Sequence, residues 1–351
     1  MELNKQVKKI LVVRYRFIGD TILTVPFLRN LRRAYPDAKI DMLVAPKSGE
    51  VIENCPYVDN FLFFDTTRKH KYENTEQKRK TFFHYVKLLR SNKYDKAYVL
   101  KRSLSSAILV FLAGIKERIG FDTEKRGFLL TKKVKYDNKK HEIECFLDVL
   151  KADDVEVKDS YLENWVDETT SLRIKLLLKE YGIEDKTKVI VHATATNPAK
   201  VWPPENFAKI IEYLANKKNV QVLYIGTDFD SKTYEILEAL IKNELKIKPI
   251  NLCGKFTLQE SLAFIKKVDL LIGNDSGNLH MAASVGTKVI GIYGPMPFEK
   301  WCARGEGHVL LKSDRDCVPC SLKRPCNLNF ACLKDIKVAD VIKAYESMNL
   351  N

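Results

Sequence analysis

The sequence predicts an α/β fold of two Rossmann-like domains facing each other across a cleft. At 351 residues the chain exceeds a comfortable single core. Short apolar runs of strand length alternate with stretches of helical period. That alternation occurs twice, on either side of an acidic, irregular stretch from Lys151 to Glu168. Domains are therefore expected at residues 1–165 and 166–351. With 45% hydrophobic and 30% charged residues the composition is globular and leaves no extended tract to read as disordered.

Lys9–Val13 is a short apolar run suited to a buried parallel strand. A helical pattern follows from Gly19 to Ala34, stopped by Tyr35-Pro36-Asp37, and a second strand is predicted at Lys39–Val44. This strand–helix–strand unit has the length a right-handed crossover needs. Further strands are predicted at Asn60–Phe64, Lys96–Leu100 and Arg118–Phe121, with helices at Gln77–Arg90, Ser103–Ala113 and Glu142–Leu150. In the second half the predicted strands are Val189–Ala193, Val220–Ile225, Asp269–Gly273 and Val289–Tyr293. Helices are predicted at Pro204–Asn216, Asp230–Lys242, Leu258–Lys267, Ser276–Val285 and Val338–Met348.

The formal net charge is +14 and the pI near 9.2, which implies polyanionic partners: nucleic acid, acidic lipid headgroups or phosphorylated saccharides. Much of the excess lies early, in Arg14, Arg16, Arg29, Arg32, Arg33, the stretch Arg68–Lys80 and the stretch Lys101–Lys140. The N-terminal apolar run is interrupted by Arg14 and Arg16, too short to span a bilayer and unlike a signal peptide, so a cytoplasmic protein is expected. Cys55, Cys145, Cys253 and Cys302 are scattered, as suits thiols kept reduced.

In open parallel sheets ligands bind at the carboxyl ends of strands, so the chemistry is sought in three turns. The first is Arg14-Tyr15-Arg16-Phe17-Ile18-Gly19-Asp20. Asp20 reads either as an N-cap or as a general base that removes a hydroxyl proton during sugar transfer. The second runs from Val191 to Pro203 and carries Thr194, Thr196 and Lys200; its hydroxyls, amides and ammonium suit a phosphate. Trp202-Pro203 reads as a packed helix entrance, and His192 as a core histidine. The third, Gly273-Asn274-Asp275-Ser276-Gly277-Asn278-Leu279-His280, opens a helix, whose unpaired amides and dipole favour a diphosphate. The plainer reading of this turn is a capped helix with a surface histidine. The standard dinucleotide, Walker and metalloprotease motifs are absent, which disfavours dehydrogenase and ATPase functions.

Cys317, Cys320, Cys326 and Cys332 form a cluster whose spacing permits a structural metal such as zinc, disulfides, or reduced thiols.

Taken in order, Gly19-Asp20, Pro26, Leu31-Arg32, Lys200-Val201-Trp202-Pro203, Asp275-Ser276-Gly277 with His280, and Gly294-Pro295 resemble glycosyltransferase family 9, the lipopolysaccharide heptosyltransferases. The resemblance runs from about Lys9 to Asp340. It implies a GT-B architecture, an N-terminal domain receiving the acceptor, a C-terminal domain binding an ADP-sugar, and an inverting reaction without a catalytic cofactor or metal. It further implies Asp20 as base and Lys200 as a catalytic and phosphate-binding group, with Thr194 and Thr196 also on the phosphates. Asp275, Ser276, Gly277 and His280 would form the diphosphate turn. Asp228 or Asp230 falls where a ribose contact is expected, and Phe256 where either an adenine-packing ring or ordinary core is expected. Arg14, Arg16 and Gly19 would lie on the acceptor side. The implied partners are a nucleotide-sugar donor, an anionic glycolipid acceptor built on lipid A and Kdo, and the inner face of the cytoplasmic membrane. Where many members read Pro-Gly-Ala, this chain reads His192-Ala193-Thr194, so the subgroup stays open. Two other readings compete. A nucleotide-sugar epimerase would need further acid/base groups that Asp20 alone does not supply, and a nucleic-acid-binding protein would need interleaved aromatics or a known module, neither of which is present. Within the transferase reading, another glycan-assembly transferase using a different donor stays open.

Overall fold

The computed structural model describes residues 7–14, 16–65 and 80–350. Most of the basic stretch Arg68–Lys80 and the start of the helix expected from Gln77 lie outside them. The chain divides into two compact units, Met1–Ser160 and Tyr161–Asn351.

The first unit is built on strands β1 (Lys9–Val13), β2 (Lys39–Val44), β3 (Asn60–Phe63), β4 (Lys96–Val99), β5 (Glu117–Phe121) and β6 (Lys132–Val134), in the order β3-β2-β1-β4-β5-β6. Every pairing is parallel. The second unit has β7 (Thr187–His192), β8 (Val220–Tyr224), β9 (Ile250–Asn251), β10 (Leu270–Asn274), β11 (Lys288–Tyr293) and β12 (Val309–Lys312), in the order β12-β11-β10-β7-β8-β9, again all parallel. Read outward from its first strand, each sheet has the Rossmann order 3-2-1-4-5-6. The central strands are buried on both faces, which explains their unbroken apolar runs. Together the two sheets and their helices give the GT-B class of α/β fold.

Differences from the sequence reading have local causes. The predicted helix from Gly19 to Ala34 is two helices, Ile18–Ile22 and Val25–Ala34, because Pro26 lacks an amide donor and is favoured in the first turn of a new helix. Strand β6 escaped notice because it begins with two lysines on a sheet edge. The helix Glu168–Glu180 buries only Ile174 and Leu178, too sparse an apolar stripe to stand out, though Asp167 caps it by accepting from Thr170 N–H at 2.8 Å.

A buried polar network locks the first unit. Asp153, at 7% exposure, accepts from Lys96 Nζ at 2.5 Å and Tyr98 Oη at 2.7 Å, and Lys132 Nζ lies 2.8 Å from its other oxygen. Burial alone would raise the Asp153 pKa, but hydrogen bonds from Lys132, Lys96 and Tyr98 outweigh it and hold the carboxyl below its ordinary value. Removing one partner of such a pair strands the other charge. Asp153→Asn should therefore lower unfolding free energy by about 3–5 kcal/mol at pH 7, measured by urea titration. Because the folded pKa is depressed, this stabilisation is present above the unfolded carboxylate value and is lost as pH falls through the folded one. The gap between wild type and variant should shrink below pH 3.8; a gap that stays constant down to pH 2 would refute the assignment.

Candidate functional site

Each unit has a switch point, between β1 and β4 in the first and between β7 and β10 in the second, where successive crossovers leave toward opposite sides. Three of the turns predicted to carry chemistry follow β1, β7 and β10 and so border these points.

In the first unit the chain leaves β1 through Arg16 and Phe17, both at positive φ (83° and 63°), before the helix Ile18–Ile22. Such backbone costs energy in non-glycine residues and persists where surroundings enforce it. Asp20 is inside that helix, with Phe17 at the N-cap, so its carboxylate is not a cap. It forms an ion pair with Arg14 instead. Arg14 is 5% exposed and its guanidinium lies 5.4 Å from the Phe146 ring centroid. Arg14 thus orients the carboxylate, while Arg16 is exposed and Gly19 buried.

The sequence reading missed Lys101 as a site residue. Its amide donates to the Val13 carbonyl at 3.1 Å, which puts it directly beside Arg14 across the β1/β4 junction. Burial, then the charges of Arg14 and Arg16, pull its pKa down to about 8 against the opposing effect of Asp20. Arg102 follows, its guanidinium 4.1 Å from the Tyr136 ring centroid. The strand-end rule applied to β1 would have found both residues after β4.

In the second unit the loop after β7 is tied to the turn after β10. Trp202 N–H donates to Asn274 Oδ1 at 2.9 Å, and the fully buried indole donates to the Ile336 carbonyl at 2.9 Å, fixing the entrance of the helix Pro204–Ala215. Lys200 Nζ lies 2.8 Å from Asp275 Oδ2, with side-chain exposures of 22% and 6%. The lysine is therefore not a solitary charge: a buried carboxylate holds it at the turn. Asp275 Oδ2 has no directional hydrogen bond besides this ion pair, and Ser276 Oγ and Asn274 Nδ2 are buried without hydrogen-bond partners. Such atoms are costly unless a ligand satisfies them.

His192 is 5% exposed and is more than core filling. Its Nε2 lies 2.6 Å from Asn278 Nδ2 and 3.4 Å from Thr194 Oγ1, while Nδ1 is buried without a partner. Burial holds its pKa down to about 4, so the ring is neutral at pH 7. With Nε2 accepting from Asn278, the ring proton sits on Nδ1. This imidazole links the β7 loop to the first turn of the helix Gly277–Ser284.

The remaining predicted residues separate. His280 is 5% exposed and so is not a surface histidine. Thr196 is exposed. Asp230 is engaged in a capping box, accepting from Thr227 N–H at 2.7 Å and its hydroxyl at 2.8 Å, which leaves Asp228, exposed at the start of the same helix, as the freer carboxylate. Gly254, at φ 74°, packs against Asp228: a Cβ there would meet Asp228 Oδ1 at 1.6 Å. Phe256 lays one side against Phe264, centroids 5.1 Å apart, and remains partly exposed. No disulfide joins the described cysteines, and no three described His, Cys, Asp or Glu side chains are arranged to hold a metal. A cavity of about 670 Å³ beside β12, lined among others by Leu311, Arg315 and Asp335, contains none of the predicted site residues.

Comparison with known proteins places these features in a family. The family model described as glycosyltransferase family 9 (heptosyltransferase) matches residues 82–330. Lipopolysaccharide heptosyltransferase 3 of Escherichia coli is 29% identical over 306 residues, spanning 82% of this chain and 83% of that protein. Among solved structures, a glycosyl transferase family 9 protein of Veillonella parvula superposes with a TM-score of 0.82 at 23% identity, covering 99% of this chain and 98% of that one. The Escherichia coli ADP-heptose lipopolysaccharide heptosyltransferase II superposes with a TM-score of 0.76 at 21% identity, covering 97% and 98%.

The Lys200–Asp275 pair should be measurable in a double-mutant cycle. Lys200→Met and Asp275→Asn should each destabilise the protein, and the double variant should recover part of the loss, giving a coupling of about 0.5–3 kcal/mol by urea unfolding. Additivity within about 0.3 kcal/mol would mean the pair does not hold the turn together.

Proposed function

From a chain that belongs to glycosyltransferase family 9 and is a glycosyltransferase, we propose a lipopolysaccharide heptosyltransferase that moves heptose from an ADP-sugar to an inner-core acceptor with inversion. The observation that carries this reading is the β10 turn, where Lys200 is held by Asp275 beside the buried, unpartnered Ser276 Oγ. A nucleoside diphosphate is a good leaving group once its charge is met. Lys200 and the helix amides near Ser276 would meet it as the anomeric C–O bond breaks, the role a divalent cation has in other enzymes. Asp275 keeps the ammonium in place beforehand, so little reorganisation accompanies the reaction. Thr194 and Asn278, oriented by neutral His192, are further donors at the same turn. Asp228 suits a ribose hydroxyl and Phe256 an adenine face.

The acceptor hydroxyl attacks the anomeric carbon from the side opposite the diphosphate and passes its proton to Asp20. The Arg14 ion pair aims that carboxylate. A positioned base contributes about 10²–10⁴-fold. Arg16, Lys101 and Arg102 fit the phosphates and carboxylates of an anionic glycolipid, and a basic first unit suits the inner face of the cytoplasmic membrane at about 1 kcal/mol per surface Lys or Arg. No helix among the described residues is long and apolar enough to cross a membrane.

Saturating ADP should raise the melting temperature, corresponding to about 2.7 kcal/mol at a hundredfold excess over Kd, while single-stranded DNA should leave it unchanged. Asp20→Asn should keep ADP binding and lose at least about 10²-fold in kcat. Undiminished turnover in that variant would remove Asp20 from the mechanism.

A further inference from the structure

The segment between β12 and the helix Ala331–Asp335 contains neither helix nor strand. It is mostly exposed; Val318 and Phe330 pack against the core, and Cys332 and Leu333, in the helix that follows, are buried. Ser321, Leu322, Asn329 and Phe330 all sit at positive φ, between 45° and 54°. Residues in that region cost on the order of 1–3 kcal/mol each and persist only where something over-determines them.

Three thiols occur in this segment, Cys317, Cys320 and Cys326, and a fourth, Cys332, lies in the helix that follows. Cys317, Cys320 and Cys326 are all within electrostatic reach of Cys332. Phe330 N–H donates to Cys326 Sγ at 3.3 Å, the kind of amide-to-sulfur bond that stabilises a thiolate. Arg315 is within reach of Cys317 and Cys332, and Lys323 and Arg324 are exposed within the segment. We propose that Cys317, Cys320, Cys326 and Cys332 form a tetrathiolate site for a divalent metal of zinc's class.

The set comprises four soft ligands, opened by a Cys-x2-Cys pair, and matches the composition of closed structural sites. Binding replaces four S–H protons, released to solvent, with four metal–sulfur bonds. The resulting complex carries a charge of two minus, which Lys323 and Arg324 offset. No three of these sulfurs stand at ligand geometry as the side chains are placed. Closure needs side-chain rotation by Cys317, Cys320 and Cys326, none of which is fully buried.

The site would be structural. Ser321 N–H donates to the Pro295 carbonyl at 2.9 Å, and Cys320 Sγ lies 3.9 Å from the same oxygen, so the segment latches onto the turn that follows β11. Gly294 in that turn packs so closely on Leu333 that a Cβ would meet it at 2.7 Å. A metal would thereby brace the strand next to β10.

The test uses untagged full-length protein, purified under reducing conditions, incubated with Zn²⁺ and desalted. Elemental analysis should find about one tightly held metal per chain. Co²⁺ substituted at the site should give the absorption of tetrahedral cobalt thiolate, a readout of ligand identity that needs no variant. A paired Cys320→Ser, Cys326→Ser variant should hold less than about a tenth of that metal, whereas Cys302→Ser should keep it all. Chelation should lower the melting temperature whether or not the protein transfers sugar, so this proposal and the assigned reaction fail separately. Metal below about a tenth per chain in the wild type, with four cluster thiols that alkylate freely, would overturn the proposal. So would a mass deficit of two hydrogens per bridge, which would show disulfides.

Discussion

The strand order of an all-parallel sheet is the constraint on which the candidate sites depend. When the chain runs outward from β1 to β3 and then returns to start β4 beside β1, the crossovers on either side lie on opposite faces of the sheet. The loops leaving β1 and β4 therefore run to opposite sides, which is where open α/β sheets form their ligand crevice. The second unit repeats this between β7 and β10. Asp20 and Lys101 border the first crevice, and the His192 to Lys200 loop and the Asp275-Ser276 turn border the second. Function is located by topology before any individual residue is chosen.

The polar groups placed at these crevices follow one electrostatic pattern. Arg14 neutralises Asp20 and Lys200 neutralises Asp275, each within its own unit. A lone buried charge would cost several kcal/mol and would shift its own protonation to escape. The pair keeps both partners aimed. Its net charge is zero, so under the proposed function an incoming anion would share an ammonium already in position. The neutral His192 extends this order, because an imidazole kept uncharged can accept from Asn278 through Nε2.

Much of the architecture was legible from apolar periodicity. Strands β1 and β2 fall at the predicted residues, because strands buried on both faces read as continuous hydrophobic runs. Edge strands such as β6, Lys132–Val134, carry charge and give no such signal. In the site, the turns were legible and the partnerships were not. Asp20 could be seen as an acidic residue at a helix start, but whether it caps that helix or pairs with Arg14 depends on the side chains' tertiary placement. Similarly, Asp228 and Asp230 are indistinguishable in sequence until the capping box takes one of them. Lys101 was hidden within a long basic stretch in which no single cation stands out.

The charge balance separates two kinds of recognition. The first unit holds 33 of the 59 Lys and Arg residues but 22 of the 45 Asp and Glu residues, so it carries most of the net charge, whereas the second has 26 against 23. A small diphosphate does not need a field. In the proposed function it would be met at contact distance by one lysine, a helix end and a few hydroxyls, where short range makes each group effective. A large polyanion at an interface presents charge over tens of ångströms, beyond the reach of single contacts and within the reach of a summed potential, itself screened over about 8 Å at physiological salt. A nearly neutral unit with precisely placed donors and a strongly basic unit with dispersed cations are the two physical answers to those two substrates. The asymmetry fits the proposed assignment of the donor to the second unit and the glycolipid to the first.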